Sequence, residues 1–369
     1  MSFTIRNATT LTEDAVITNR NISVVNNIFS GEEKTSNSID FENDYLLPGF
    51  IDIQVYGAND TLFSDDPSVE SLTTMYNVAI RTGTTSFVPT IATNAERVII
   101  ESIDAVRKYN EVGHPGVHGL HLEGPYINPI KKGAHLSAHI LKPAISQLQK
   151  WLEYGKGIIK IITLAPEVCS AEVIELLQHH NVSISLGHTD ADFTQANLAF
   201  DKGVHLVTHL FNAMRSIHHR DAGLAVATML DSRVQASIVA DGYHVSFEMI
   251  RLAKTIMEER LFLITDAVAN SAGVYPHKLS GEKYILPDGT LSGSSLSILK
   301  ATKNCIEFVA IALPEAIRMA SLYPAKAIGI AGHYGSILPG YKADFVRLDK
   351  DLNIVSVFKN GEIVYDARV

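Results

Sequence analysis

Eight short apolar and β-branched runs recur along the chain, and segments of helical spacing separate most of them. They read FIDIQVYG (50–57), SFVPTIA (86–92), VHGLHLEGP (117–125), IIKIITLAP (158–166), VSISLGHT (182–189), HLVTHLFNAM (205–214), QASIVADGYH (235–244) and LFLITDAV (261–268). Strands buried on both faces have this texture, and each parallel pair needs a crossover of a dozen or more residues. The stretches 68–80, 95–110, 171–180, 192–203 and 246–260 place apolar residues every three or four positions, the period of an amphipathic helix. The alternation predicts an α/β fold, a (β/α)8 TIM barrel, whose functional groups gather at the C-terminal ends of the strands.

With 369 residues, the chain exceeds a barrel of roughly 250 residues by about a hundred, so a second unit is expected. Residues 1–47 and 335–369 differ in texture from the middle. They carry short β-like pieces (SFTIRNATTL, DAVITNRNISVV, SIDFENDYLL) and turn signals at Pro339-Gly340 and Asn360-Gly361. Paired, they make a small antiparallel β-sandwich domain built from both termini, with residues 48–334 as the catalytic barrel. The stretch KLSGEKYILPDGTLSGSSL (278–296), which contains Asp288-Gly289, is expected to form a hairpin and loop near the barrel mouth.

The formal charge of −9 argues against nucleic acid as a partner, because a phosphate backbone is met by clustered Lys and Arg. A small anionic ligand is compatible with it, given a local positive pocket. No apolar stretch approaches the roughly 18 residues of a membrane span, and MSFTIRNATTLTED lacks the basic start and apolar core of a signal peptide. A cytoplasmic protein without a membrane partner is therefore expected. Cys169 and Cys305 lie far apart with no CxxC pair, which predicts two buried thiols rather than a disulfide or thiolate site.

Several runs stop on a polar residue. Glu123, His188 and His209 fall at the ends of the third, fifth and sixth runs, separated by 65 and 21 residues. No local motif has that spacing, and a barrel would bring them together as the three protein ligands of a catalytic metal site. The alternative is that each is satisfied separately in its own loop. Asp266, ending the eighth run, suits proton transfer beside such a metal or capping of a following helix. His121 shares a strand face with Glu123 and is read as a packing or hydrogen-bonding residue, although a fourth ligand is the other option. His205 is expected in the core, and the loop histidines, His277 among them, are expected to be solvated or structural.

Taken together, HLEGP (121–125), GHT (187–189), HLFNAM (209–214), DGYH (241–244) and TDA (265–267) resemble the N-acetylglucosamine-6-phosphate deacetylase family of the amidohydrolase superfamily. PGFID (48–52) and LPGYKADFV (338–346) resemble the superfamily too, so the likeness covers nearly the whole chain. It implies hydrolysis of N-acetyl-D-glucosamine 6-phosphate to D-glucosamine 6-phosphate and acetate. It also implies one divalent metal per subunit, zinc or alternatively iron, on Glu123, His188 and His209, with Asp266 as catalytic acid and base. His135 would meet the sugar or its acetamide carbonyl. Ala134, Asn212, Ala213, Arg220 and His244 would meet the phosphorylated amino sugar, and Leu291, Ser292 and Gly293 would line its pocket. A homodimer is implied, in which Arg220 reaches the neighbouring subunit's site.

One departure stands out. The superfamily often has His-x-His on the first strand, where this chain has Gln54-Val55-Tyr56, and neither Gln nor Tyr is a usual zinc ligand. A two-metal site is thus disfavoured, and the role of Tyr56 is open. The rival substrate is the galactosamine epimer, which differs at one hydroxyl. A dihydroorotase-like cyclic amidase is disfavoured because no Lys ends the fourth run. A barrel without catalysis, kept for binding, is supported only by the missing His-x-His.

Overall fold

The computed structural model describes residues 2–11, 16–31 and 35–369. The eight runs form one parallel sheet: β1 (Phe50–Val55), β2 (Thr84–Ala92), β3 (Leu120–Glu123), β4 (Ile159–Leu164), β5 (Ser183–Leu186), β6 (Leu206–Val207), β7 (Gln235–Val239) and β8 (Leu261–Ile264). Each strand pairs with the next in sequence. Between the last and the first, Val55 bridges Ala267, the Tyr56 N–H donates to the Ala267 carbonyl at 2.8 Å and the Asp266 N–H to the Gln54 carbonyl at 3.0 Å. Those contacts close the sheet into the expected (β/α)8 barrel and leave it without an open edge there.

A helix follows every strand: α1 (Val69–Arg81), α2 (Glu96–Glu111), α3 (Ile145–Tyr154), α4 (Ala171–His179), α5 (Phe193–Asp201), α6 (Leu224–Leu230), α7 (Phe247–Met257) and α8 (Ile298–Val309). The five periodic stretches correspond to α1, α2, α4, α5 and α7. The start of α5 is fixed by a capping box, in which the Asp192 carboxylate accepts from the Gln195 N–H and the Gln195 side chain accepts from the Asp192 N–H. The apolar stripe of α3 is narrow, with Leu148, Trp151 and Leu152 buried.

Several expectations require correction. The sixth run contributes only two residues of strand, because the backbone turns left-handed at His209 (φ 33°), Phe211 (φ 79°) and Ala213 (φ 49°) and leaves the extended region. His205 is exposed at the start of that run, not in the core. The stretch 278–296 holds three antiparallel strands, Lys278–Ser280, Lys283–Ile285 and Leu291–Ser294, and hence two turns. Cys305 is buried but Cys169 only partly so.

The chain divides into two compact units: Met1–Asp52 with Tyr76–Ser86 and Ser297–Val369, and Ile53–Met75 with Phe87–Leu296. Within the first, one sheet joins strands from both ends of the chain, in the order Glu362–Asp366, Ile354–Lys359, Phe345–Leu348, Tyr45–Pro48, Ser2–Leu11, Val16–Val25 and Ile28–Gly31. Most pairs are antiparallel, but Ser2–Leu11 runs parallel to Ser38–Asp40 and to Tyr45–Pro48. Its core is aromatic, with Phe3, Phe29, Phe41, Phe345 and Phe358 buried together and the rings of Phe345 and Phe358 stacked at 4.2 Å. Asp14 and Ala15, the start of the second β-like piece, lie outside the described residues. Among the described residues, no helix is long and apolar enough to cross a membrane.

Candidate metal centre and active site

Four polar residues leave four strands at the same end. Glu123 is the last residue of β3, and His188, His209 and Asp266 each sit two residues beyond β5, β6 and β8. The last three have positive φ, of 48°, 33° and 55°. Non-glycine residues held there cost about 1–3 kcal/mol each and persist where the surroundings over-determine them, which is most often at functional sites.

The side chains converge within the second unit. Oε1 of Glu123 lies 3.0 Å from Nε2 of His209 and 3.3 Å from Nε2 of His188, and the two imidazole nitrogens are 3.1 Å apart. Nδ1 of His188 is 2.9 Å from the Lys131 carbonyl. That ring therefore donates through Nδ1 and presents a lone pair at Nε2, the arrangement of a metal-ligating histidine with its outer hydrogen bond in place. Nδ1 of His209 is buried without a partner. Ligands about 2.0–2.1 Å from one tetrahedral ion stand a little over 3 Å from each other, so these three donor atoms fit a single zinc-like cation.

His135 is the other imidazole within reach, since ligand atoms of Glu123, His135 and His188 lie within 4.8 Å of one another. Its tautomer points to a different role. The Thr93 N–H donates to Nδ1 of His135 at 3.2 Å, and a backbone N–H cannot rotate away as the Thr93 hydroxyl, 2.7 Å off, can. Nδ1 is thus the acceptor and Nε2 carries the proton, donating to Oε2 of Glu123 at 2.9 Å. His121, as expected, is hydrogen-bonded inside the barrel, with Nε2 2.8 Å from Thr163 Oγ1.

Charge is held tightly here. Burial alone would raise Glu123, but His188 and His135 pull it well below the ordinary carboxylate range. Burial pushes Asp266 up to about 6, with His209 opposing and Glu123 reinforcing. Burial, helped by His188, takes His135 down to about 4, so it is neutral near pH 7. Burial and the neighbouring Glu123 and Asp266 push the Tyr56 phenol well above its ordinary value.

A cavity of about 210 Å³ opens over these groups, the volume of about seven waters and hence of small-molecule size. Glu123, His188, His209 and Asp266 face it together with Ala134, His135, Asn212 and Ala213. His244 and the strand Leu291, Ser292 and Gly293 complete the wall that the sequence anticipates. Gly293 is required by close approach: a Cβ there would lie 2.4 Å from Val268 Cγ1 and 2.5 Å from the Asp266 carbonyl. His244 donates from Nδ1 to Asp241 at 2.6 Å and from Nε2 to the Ser292 carbonyl at 2.7 Å. With both nitrogens donating, the ring is an imidazolium. Burial opposes that charge and Asp241 overcomes it, raising His244 above its ordinary value.

Arg220 is not brought to this cavity; it sits exposed in the turn after His218, whose Nδ1 accepts from the Arg220 N–H. Conversely, Tyr275 and His277 line the cavity although the sequence reading leaves His277 as a structural loop residue. Burial takes His277 down to about 4, and its Nδ1 is buried without a partner. Their only signal in the sequence is a Tyr-x-His pair in the long connection after the eighth strand.

The amidohydrolase family model matches residues 45–364. The N-acetylglucosamine-6-phosphate deacetylase of Haemophilus influenzae is 33% identical over 337 residues, covering 88% of each chain. The N-acetylgalactosamine-6-phosphate deacetylase of Escherichia coli is 31% identical, covering 98% of this chain and 99% of that one. The crystal structure of N-acetylglucosamine-6-phosphate deacetylase from Pasteurella multocida superposes with a TM-score of 0.94 at 30% identity, over 99% of this chain and all of the other. With its barrel closed around a Glu-His-His centre and its length shared with these enzymes, the chain belongs to the amidohydrolase family.

Proposed function

We propose that this protein hydrolyses N-acetyl-D-glucosamine 6-phosphate to D-glucosamine 6-phosphate and acetate. The observation that carries the reading is the set of Glu123, His188 and His209 donor atoms gathered opposite Asp266 at the floor of one cavity, in a chain similar to deacetylases along its length. The two imidazoles and the carboxylate favour one divalent metal per subunit, zinc first and iron second. When bound, that metal supplies positive charge that acidifies a water and polarises the acetamide carbonyl.

The protein's own groups then have distinct tasks. Asp266 takes the proton of the attacking water and later returns it to the sugar nitrogen as the C–N bond breaks, so one carboxylate serves as base and then acid. Burial raises its proton affinity, which favours its holding the proton between the two transfers. Nε2–H of His135, which rests on Oε2 of Glu123, turns to the carbonyl oxygen as that oxygen gains negative charge, while Thr93 keeps the proton on Nε2. Ala134, Asn212, Ala213, Leu291, Ser292 and Gly293 shape the sugar pocket, and the His244 imidazolium supplies positive charge to the phosphate end. Arg220 of the partner subunit would complete phosphate binding in a homodimer. In this division of labour residues 48–334 are the catalytic barrel and residues 1–47 with 335–369 a β-domain, in a cytoplasmic enzyme.

The 31% identical Escherichia coli relative favours a second reading, the galactosamine epimer as substrate. Acetate release from the two hexosamine 6-phosphates and from unphosphorylated N-acetylglucosamine, before and after chelation and with zinc or ferrous iron restored, tests both. Metal-dependent turnover selective for the glucosamine phosphate is expected. Preference for the epimer would move the activity to that sugar, and no turnover in metal-loaded protein would refute the deacetylase reading.

A further inference from the structure

The residues standing where the superfamily has its His-x-His pair are built into the centre. Gln54 and Tyr56 are two residues apart at the end of β1, so both point to the same face, and both are buried. The Gln54 Nε2 amide reaches Oε1 of Glu123 at 3.0 Å, Oδ1 of Asp266 at 2.9 Å and the Tyr56 hydroxyl at 2.8 Å. The Tyr56 hydroxyl has one proton and donates it to Oε2 of Glu123 at 2.5 Å.

These contacts divide the Glu123 carboxylate. Oε1 faces His188 and His209, while Oε2 faces Tyr56 and the Nε2–H of His135. Two buried carboxylates, Glu123 and Asp266, need donors or cations beside them to offset desolvation. On the β1 side those donors are neutral, an amide and a phenol.

We propose that Tyr56 is a positioning residue of the metal centre: its hydroxyl, with His135 beside it, holds Oε2 of Glu123 out of coordination, so that Glu123 binds through Oε1 alone. This rests on the reading of Glu123, His188 and His209 as ligands. A single oxygen ligand leaves the ion with open positions for water and substrate, which a chelating carboxylate would consume.

The test is metal binding by the full chain, read independently of turnover. Apo-protein titrated with zinc in competition with a chelator is expected to saturate at one ion per subunit. Tyr56→Phe keeps the ring and removes only the donor, and its infrared difference spectrum on zinc binding is expected to show bidentate carboxylate bands where the parent shows monodentate ones. Its apo form should keep the parent's circular dichroism. Tyr56→Phe with the parent's monodentate bands would overturn the proposal. If that variant does not fold, infrared difference spectra of the parent on zinc binding decide the matter, with monodentate carboxylate bands expected and bidentate bands overturning it. A parent that binds no zinc would instead refute the ligand assignment itself, which separates the two failures.

Discussion

The amide of Gln54, on the first barrel strand, donates to Oδ1 of Asp266, beyond the last, at 2.9 Å. An asparagine at 266 keeps an oxygen acceptor for that amide but cannot take a proton from water. Asp266→Asn should therefore lower kcat by ~10²–10⁴-fold, the usual worth of general acid–base catalysis, with KM little changed. Steady-state kinetics on the metal-loaded protein checks this; a raised KM with kcat intact would move Asp266 from proton transfer to binding.

His135 and His209 both approach Glu123, and their substitutions should separate. His209→Ala removes a proposed ligand, so metal analysis after dialysis is expected to find the ion lost. His135→Leu removes the proposed donor to the carbonyl oxygen, so the metal should stay while kcat falls by ~10²–10³-fold. The opposite pattern would make His135 the third ligand.

The Asp241–His244 pair makes stability depend on pH. His244 is raised above its ordinary 6.5, so its contribution is complete below 6.5 and fades as pH rises through its folded value. Asp241 is lowered from its ordinary 3.8, since His244 outweighs the effect of burial, so its contribution is complete above 3.8 and fades as pH falls through its folded value. The pair is thus fully stabilising between about 4 and 6.5. Asp241→Asn should cost ~1.5–3 kcal/mol in that window, with the gap to the parent narrowing above it. Urea unfolding at a series of pH values measures this, and a gap that widens with alkalinity would contradict it.

Gly293→Ala places a Cβ 2.5 Å from the Asp266 carbonyl. That oxygen is backbone, fixed by the Ser294 N–H at 2.8 Å, and cannot step aside cheaply. A loss of ~1–3 kcal/mol is expected from overpacking, together with activity, because the displaced segment carries Asp266, the proposed acid/base. Denaturant midpoints and kcat on the same sample report both, and a variant as stable and active as the parent would count against this packing.

Much of this site is legible in the sequence because its chemistry interrupts an otherwise apolar pattern. Glu123, His188, His209 and Asp266 stand out at strand ends, where a polar residue has no packing reason to be. What is illegible has other causes. HLFNAM reads as strand, but left-handed backbone at His209, Phe211 and Ala213 breaks it, and local sequence carries little trace of strain imposed by tertiary contacts. Tyr275 and His277 come from a connection without periodicity, so only its folded path brings them to the cavity. Helix α3 escapes because its buried face is only Leu148, Trp151 and Leu152. Arg220 resembles a phosphate ligand yet is exposed, and one chain's sequence does not say whose site a loop serves.

The seam between β8 and β1 has a consequence for synthesis. A nascent chain possesses all three proposed ligands once His209 has been added, but the strand that shuts the barrel and the proposed acid/base group come together, later, at Leu261–Ile264 and Asp266. Any product truncated between these points carries the proposed ligand side chains without Asp266 and without the strand whose end meets Gln54 and Val55. Of Glu123, His188, His209 and Asp266, the proposed proton carrier is therefore the last to be made, and it arrives with the strand that closes the barrel.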